Sequence, residues 1–254
     1  MRYSNGRRRS RRTYSEPVTT LRVGAAFPDP PFNGMPGDTG LDIDLMTAIA
    51  KALGAKVEFI PYDGADFNGI FDALNSSAYD CIAAGTTVTP DREAKAKFVP
   101  PYLISGQSLA VDTTRLPRVK SIDDLAGLPI GVQQGNTSQP IADRLVAQGK
   151  AARVRVYDYF TIRTALTDLT TGGCDAFMKL APVLTELVKP LTGVEVVQRG
   201  ISLENIAVAA PLNDQALLSP ITVAQAELED NGTLPGIRQK WLGNPHADQN
   251  SAVR

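Results

Sequence analysis

Cysteine and histidine are almost absent from this chain. The 254 residues hold two cysteines, Cys81 and Cys174. Two cysteines give no disulfide framework, and both lie in apolar runs where a free thiol packs as a small hydrophobe. His246 is the single histidine. Without a second imidazole or a cysteine cluster, no transition-metal site and no cofactor are expected. Aromatics make up only 6% of residues, with one tryptophan. No stretch approaches the roughly 18 consecutive apolar residues that a membrane-spanning helix needs. There is no Ser-His-Asp or Cys-His arrangement and no phosphate-cradling glycine loop.

The charge that is present is unevenly spread. Arg2, Arg7, Arg8, Arg9, Arg11 and Arg12 place six positive charges before residue 13, so the remainder carries −7, six below the whole chain's −1. An acidic body argues against nucleic acid as a partner. The arginine run has no aromatics or amphipathic period after it, and residues 1–18 are expected to be a disordered basic tail. Thr13-Tyr14-Ser15-Glu16-Pro17 follows the run where a secretory signal would have an apolar segment. A shortened export signal and a cytoplasmic chain both remain open. With 43% apolar and 21% charged residues, the length suits one large or two medium domains.

Periodicity predicts an α/β protein. Leu21–Ala26 reads as a strand, Asp42–Ala52 as a helix with Leu45, Ile49 and Leu53 on one face, and Val57–Ile60 as a strand. A helix over 67–76 and the apolar run Cys81–Ala84 complete a β-α-β-α-β unit, the mark of a parallel sheet. A second series runs from strand Ile130–Val132 through helix 140–147, strand Val154–Tyr157, helix 162–170 and strand Ala176–Met178. It continues through helix 183–188 to strand Val194–Val197. Ile206–Ala210 is a further strand, followed by a helix over 215–230 and another ending at Trp241. Two α/β lobes, one inserted in the other and joined by two strands, account for this order. Lobe one is 19–107 plus 209–244, lobe two is 108–208, and 245–254 is a flexible tail. Hinges are expected near Ser105–Leu109 and Asn205–Ala209.

Gly85–Tyr102 is the stretch with binding chemistry. Thr86, Thr87 and Thr89 offer hydroxyls at a strand end, Pro90 breaks the chain, and Thr89 is a suitable N-cap for a helical turn carrying Arg92. Strand ends beside helix N-termini hold anions in open α/β sheets, and a guanidinium grips a carboxylate bidentately. An ordinary strand-to-helix loop with a solvated arginine is the alternative.

Several short motifs now stand in order over about residues 20–244: Pro30-Pro31-Phe32, Gly40-Leu41-Asp42-Ile43-Asp44, Tyr79-Asp80, Gly85-Thr86-Thr87-Val88-Thr89-Pro90-Asp91-Arg92, Pro101-Tyr102, Gly131-Val132-Gln133-Gln134-Gly135-Asn136-Thr137 and Asn231-Gly232-Thr233-Leu234. In this the chain resembles the family 3 extracellular solute-binding proteins, the polar amino-acid receptors of ABC importers. The resemblance implies a two-lobed type II periplasmic-binding-protein-like fold that closes on a small amino acid or related organic acid. It also implies an ABC transporter permease as partner, a monomer, a periplasmic or cell-surface location and no catalysis. Carried over by position, Arg92 would hold the ligand's α-carboxylate. Gly85, Thr86, Thr87, Gln133 and Thr137 would supply backbone and hydroxyl contacts, and Phe67 and Phe32 would sandwich the ligand's carbon skeleton.

The chain departs from the family pattern where the ligand's ammonium would be neutralised. Leu180 stands two residues before Pro182, where the pattern has an aspartate. Asp29 replaces an aromatic before Pro30-Pro31, and Lys179 falls where the ligand's side chain is read. Two readings follow. Either Asp29 supplies the missing acid, or the ligand lacks an ammonium and Arg92 with Lys179 binds an organic acid or diacid. An unpaired buried ammonium is costly, which gives Leu180 its weight. The same fold also serves cyclohexadienyl dehydratases, for which Asp29, Glu204 and Lys179 are the candidate acids. It serves as well in sensory modules that act through a partner.

Overall fold

Each apolar strand at the start of the chain returns through an amphipathic helix, and a parallel sheet results. The computed structural model describes residues 19–34 and 39–250; the basic stretch 1–18, expected as a tail, lies outside them. β1 (Thr20–Ala26) is followed by α1 (Leu41–Ala52), β2 (Lys56–Tyr62), α2 (Gly69–Asn75) and β3 (Cys81–Ile82). β1 pairs in parallel with β2 on one side and β3 on the other. α1 turns Leu45, Met46 and Ile49 inward. α3 (Pro90–Glu93) leads to β4 (Ala96–Phe98), β5 (Leu103–Ser105) and β6 (Gln107–Asp112). β4 and β5 are too short to leave a periodic signal in the sequence.

The second series gives β7 (Pro129–Gln133), α4 (Ser138–Ala147), β8 (Arg153–Tyr157), α5 (Ile162–Thr171), β9 (Ala176–Leu180), α6 (Ala181–Val188) and β10 (Val194–Gln198). β7 is parallel to β8 and β9. β10 does not lie beside β9, as a simple crossover would place it. β6 sits between them, antiparallel to both. Residues Gln107–Val111 of β6 are all buried, so this strand requires cover on both faces and takes an interior slot.

The continuous strand expected over Ile206–Ala210 is two strands, β11 (Glu204–Ile206) and β12 (Ala209–Pro211). They part because the residues between them bond elsewhere: the Ala207 N–H donates to the Thr86 carbonyl at 3.0 Å. β12 joins the first sheet, in the order β2-β1-β3-β12-β4, and the second sheet runs β10-β6-β9-β7-β8. β11 pairs antiparallel with β5, Glu204 opposite Ser105, as a two-stranded ribbon where the chain passes between the sheets. α7 (Gln215–Asp230) and α8 (Thr233–Leu242) pack with α1 on one face of the first sheet, and α2 covers the other.

Residues 245–250 are not a free tail. They lie along β5, where the Ile104 N–H donates to the Ala247 carbonyl at 2.8 Å and the Gln249 N–H to the Ile104 carbonyl at 2.9 Å. β5 is otherwise an edge with unpaired backbone groups, and this segment satisfies them. Cys81 and Cys174 are buried free thiols. No described helix is long and apolar enough to cross a membrane.

Candidate functional site

The strand-to-helix loop after β3 is built around Arg92. Thr89 caps α3, its side chain accepting the Arg92 N–H at 3.3 Å, and Pro90 occupies the first turn. α3 is a single turn, so its dipole adds little and the guanidinium itself supplies the positive charge. Arg92 Nη1 donates to the Thr87 carbonyl at 2.9 Å, Nη2 to the Gly135 carbonyl at 3.1 Å, and Nε to Asn68 Oδ1 at 3.2 Å. Each terminal nitrogen keeps a second N–H. The guanidinium carbon lies 4.9 Å from the Phe67 ring centre and 5.7 Å from that of Phe71, within cation–π range. Burial lowers the Arg92 pKa to about 10, which still leaves a cation at neutral pH.

Gly85 and Gly135 set the close approaches. Gly85 has φ +55°, and a Cβ there would lie 2.9 Å from Phe32 Cδ2. Gly135, with φ +75°, presses against the segment that leads into α2, where a Cβ would come 2.0 Å from Asp66 Oδ1. Direct bonds join the two lobes along this line: the Phe67 N–H to the Gln134 carbonyl at 3.2 Å and the Tyr159 N–H to the Ala65 carbonyl at 2.7 Å.

Opposite Arg92, Lys179 of β9 faces Asp29 of the loop after β1. Lys179 Nζ is 3.1 Å from Asp29 Oδ1 and donates to Gln133 Oε1 at 2.6 Å. It lies 5.3 Å from the centre of the Tyr159 ring. Both partners are buried, at 3% and 6% exposure. Burial pushes the Asp29 pKa up, while the Lys179 charge pulls it down.

Between these groups lies a cavity of about 20 Å³, lined by Asp29, Phe67, Ala84, Gly85, Thr87, Arg92, Gln107, Asn136, Thr137, Lys179 and Leu180. That is room for about one water and far below the roughly 300–1,000 Å³ of a ligand pocket. Beyond Arg92 a groove of about 410 Å³ opens between α2 and the start of α4. Gln107 Oε1 and Asn136 Nδ2 are buried without a partner among the described residues, unusual in a folded protein and suited to meeting something polar in the cleft. A wider concavity of about 770 Å³ around Trp241, Glu186 and Lys189 is lined by none of these groups.

Asp29, Phe67, Gly85, Thr87, Arg92, Thr137, Lys179 and Leu180 line this cavity together, and the three other candidates do not reach it. Phe32 is wholly buried in the core under Gly85. Thr86 is fully buried and absent from the lining, because side chains alternate along an extended chain and Thr87 takes the cleft side. Gln133 stands behind Lys179, accepting its ammonium and donating to the Tyr159 carbonyl. Gln107 and Tyr159 lie outside the motifs, since isolated polar and aromatic residues carry no spacing signal, and Asn136 lies inside one with no role attached to it.

Asp42 opens the expected helix and belongs to the Gly40–Asp44 motif. It is fully buried and clamps the loop: Oδ2 accepts the Gly85 N–H at 2.7 Å and Oδ1 the Tyr102 hydroxyl at 2.5 Å. Burial raises its pKa from 3.8 to about 6, against the pull of both hydrogen bonds. The folded protein therefore binds this proton more tightly than the unfolded chain. The associated stabilisation is full below about pH 4, is lost as pH rises through about 6, and amounts to about 3 kcal/mol. The difference in unfolding free energy between the parent and Asp42→Asn, measured at several pH values, should change by that order between pH 4 and 7. A constant difference would contradict the assignment.

A model of the bacterial extracellular solute-binding proteins, family 3, matches residues 21–244. The chain is 29% identical over 228 residues to the L-cystine-binding protein TcyJ of Escherichia coli K12, covering 88% of this chain and 83% of that protein. It is 26% identical over 230 residues to ABC transporter arginine-binding protein 1 of the same strain, covering 87% and 90%. Among solved structures, an ancestral arginine-binding protein bound to arginine superimposes with a TM-score of 0.81 at 36% identity, over 90% of this chain and 100% of that one. AncCDT-1, an ancestral amino acid-binding protein described as a precursor of cyclohexadienyl dehydratase, gives 0.77 at 32% identity, over 87% and 94%.

Proposed function

Because the chain belongs to the bacterial extracellular solute-binding proteins of family 3, we propose that it is the receptor of an ABC importer and closes its lobes on a small amino acid. Arg92 carries the reading: a buried cation with an unspent N–H on each terminal nitrogen, at the edge of an interlobe cavity. A planar fork of this kind fits a carboxylate. Relatives named for cystine and arginine share the α-amino acid end of their ligands. A cavity of about 20 Å³ cannot admit such a molecule. The lobes must part to take it in, with Lys179 drawing back from Asp29, and ligand contacts to both lobes then favour closure.

We place lobe one at 19–107 plus 209–244 and lobe two at 108–208, hinged at the β5–β11 ribbon. The chain would act as a monomer with a permease, outside the cytoplasmic membrane. Binding without turnover is the reading we adopt. Among the described residues Glu204 does not line the cavity and Asp29 is paired with Lys179, so none of the three candidates is a free acid for a dehydratase step.

A thermal-shift panel tests this. L-arginine, L-histidine, L-glutamine, L-glutamate and L-cystine would each be run beside the deaminated acid, with succinate and prephenate. A ligand at about 100 times Kd adds roughly 2.7 kcal/mol, or ~5–11 °C at this size. A shift with an amino acid and none with prephenate is expected. Stabilisation by the deaminated acids alone, or turnover of prephenate, would overturn the proposal.

A further inference from the structure

Arg92 accounts for a carboxylate, but among the described residues no unpaired acid lines the cavity to meet an ammonium. Leu180 is apolar, and the charge of Asp29 is matched by Lys179. Glu204, buried in β11 behind the lining residues, is the acid whose carboxylate bonds their side chains. Its Oε2 accepts the hydroxyls of Thr87 at 2.6 Å and Thr137 at 2.9 Å. Its Oε1 accepts the Ser202 hydroxyl at 2.8 Å and Gln107 Nε2 at 3.0 Å. Thr87 comes from lobe one, Thr137 from lobe two, and Gln107 from the strand leaving the hinge.

These bonds dictate polarity. A threonine hydroxyl has one proton, and a carboxylate only accepts. With their protons turned inward to Glu204, Thr87 and Thr137 have only lone pairs left for the cavity. Gln107 Nε2 also donates to Thr137 Oγ1 at 3.0 Å. Glu204 holds that amide nitrogen and so sets which way Gln107 faces, leaving Oε1 as a buried acceptor without a partner among the described residues. The three lining side chains therefore offer acceptors, the pattern that an ammonium with three protons requires and a carboxylate would avoid. Resting on the reading of an amino acid held by Arg92, we infer that Glu204 is a positioning residue that makes Thr87, Thr137 and Gln107 an ammonium subsite spanning both lobes and the hinge.

Glu204→Gln keeps the size of the side chain. With its oxygen toward Gln107 and Ser202, its NH2 faces both threonines and turns their protons into the cavity. Calorimetric titration of the parent and the variant with each amino acid of the panel and its deaminated acid gives a selectivity ratio. Glu204→Gln should lower the ratio by about tenfold to a hundredfold. Thr137→Val should lower it in the same direction, and Thr137→Ser should keep it. If Glu204→Gln does not fold, the Thr137 pair carries the same readout. Parent-like ratios in Glu204→Gln, or in Thr137→Val, would overturn the subsite and leave the receptor reading standing. A parent that binds none of the amino acids would overturn the receptor reading itself, and the subsite with it.

Discussion

Replacing Arg92 with alanine is expected to weaken amino-acid binding by about 2–5 kcal/mol, from about thirtyfold to several thousandfold in Kd. The loss has two parts. The ligand carboxylate would enter a buried site without its counter-charge, and the closed form would lose the Arg92–Gly135 bond between the lobes. Lysine restores charge but not the fork, and it cannot reach Thr87, Gly135 and Asn68 together from between Phe67 and Phe71. Arg92→Lys should therefore recover only a minor part of the affinity. Calorimetry against the best amino acid of the panel decides it, with circular dichroism as the check on folding. An Arg92→Ala Kd within about threefold of the parent would remove Arg92 from the site, since an interaction worth less than ~1 kcal/mol is not a buried charge pair.

Lys179→Met is the second large effect expected. It strands the Asp29 carboxylate at 6% exposure beside Tyr159 with no cation facing it. Breaking a buried pair from one side costs about 3–5 kcal/mol in a rigid interior. This pair spans the cleft, however, so the protein has a cheaper response: the lobes can part and let water reach Asp29. The penalty is thus limited to the cost of opening and should appear first as a change of shape. Small-angle scattering should give a larger radius of gyration for Lys179→Met than for the parent. The double variant Asp29→Asn with Lys179→Met, which removes both charges, should return toward the parent value. If the single variant keeps the parent radius and thermal midpoint, the pair does not hold the lobes together. The outcome also bears on specificity: with Lys179 gone, Asp29 is free to meet a cation, and L-arginine should gain affinity relative to L-glutamate.

Much of this fold was legible in the chain. α1 and α7 declare themselves because a core-facing helix writes its burial into a 3.6-residue period, and α7 has the bounds expected for it. Strands β1, β7 and β9 are mostly apolar runs, while β2 and β8 set apolar residues between charged ones. The Thr89 cap was readable because capping chemistry is local. β4, β5 and the split of β11 from β12 were not. Strands of three residues hold too few alternations to register, and whether they pair is decided by distant backbone groups. The place of β6 between β9 and β10 is likewise a matter of packing, since the sequence order alone sets no slot in a sheet.

The site divides along the same line. Sequence by itself determined which residues carry charge near the cleft and that Arg92 sits one turn beyond a capped strand end, because residue type and local capping are properties of a short stretch. It also raised the question posed by Leu180, but offered Asp29 as a free acid and Lys179 as a free cation. Only the tertiary structure spends those two charges on each other across the cleft. Only it puts Phe32 beneath Gly85 instead of on the ligand's side. It alone brings Glu204 behind Thr87 and Thr137, residues 117 and 67 positions away in the chain. A charge's availability depends on what lies within about 4 Å of it, and in a two-lobed protein those neighbours come from both ends of the sequence.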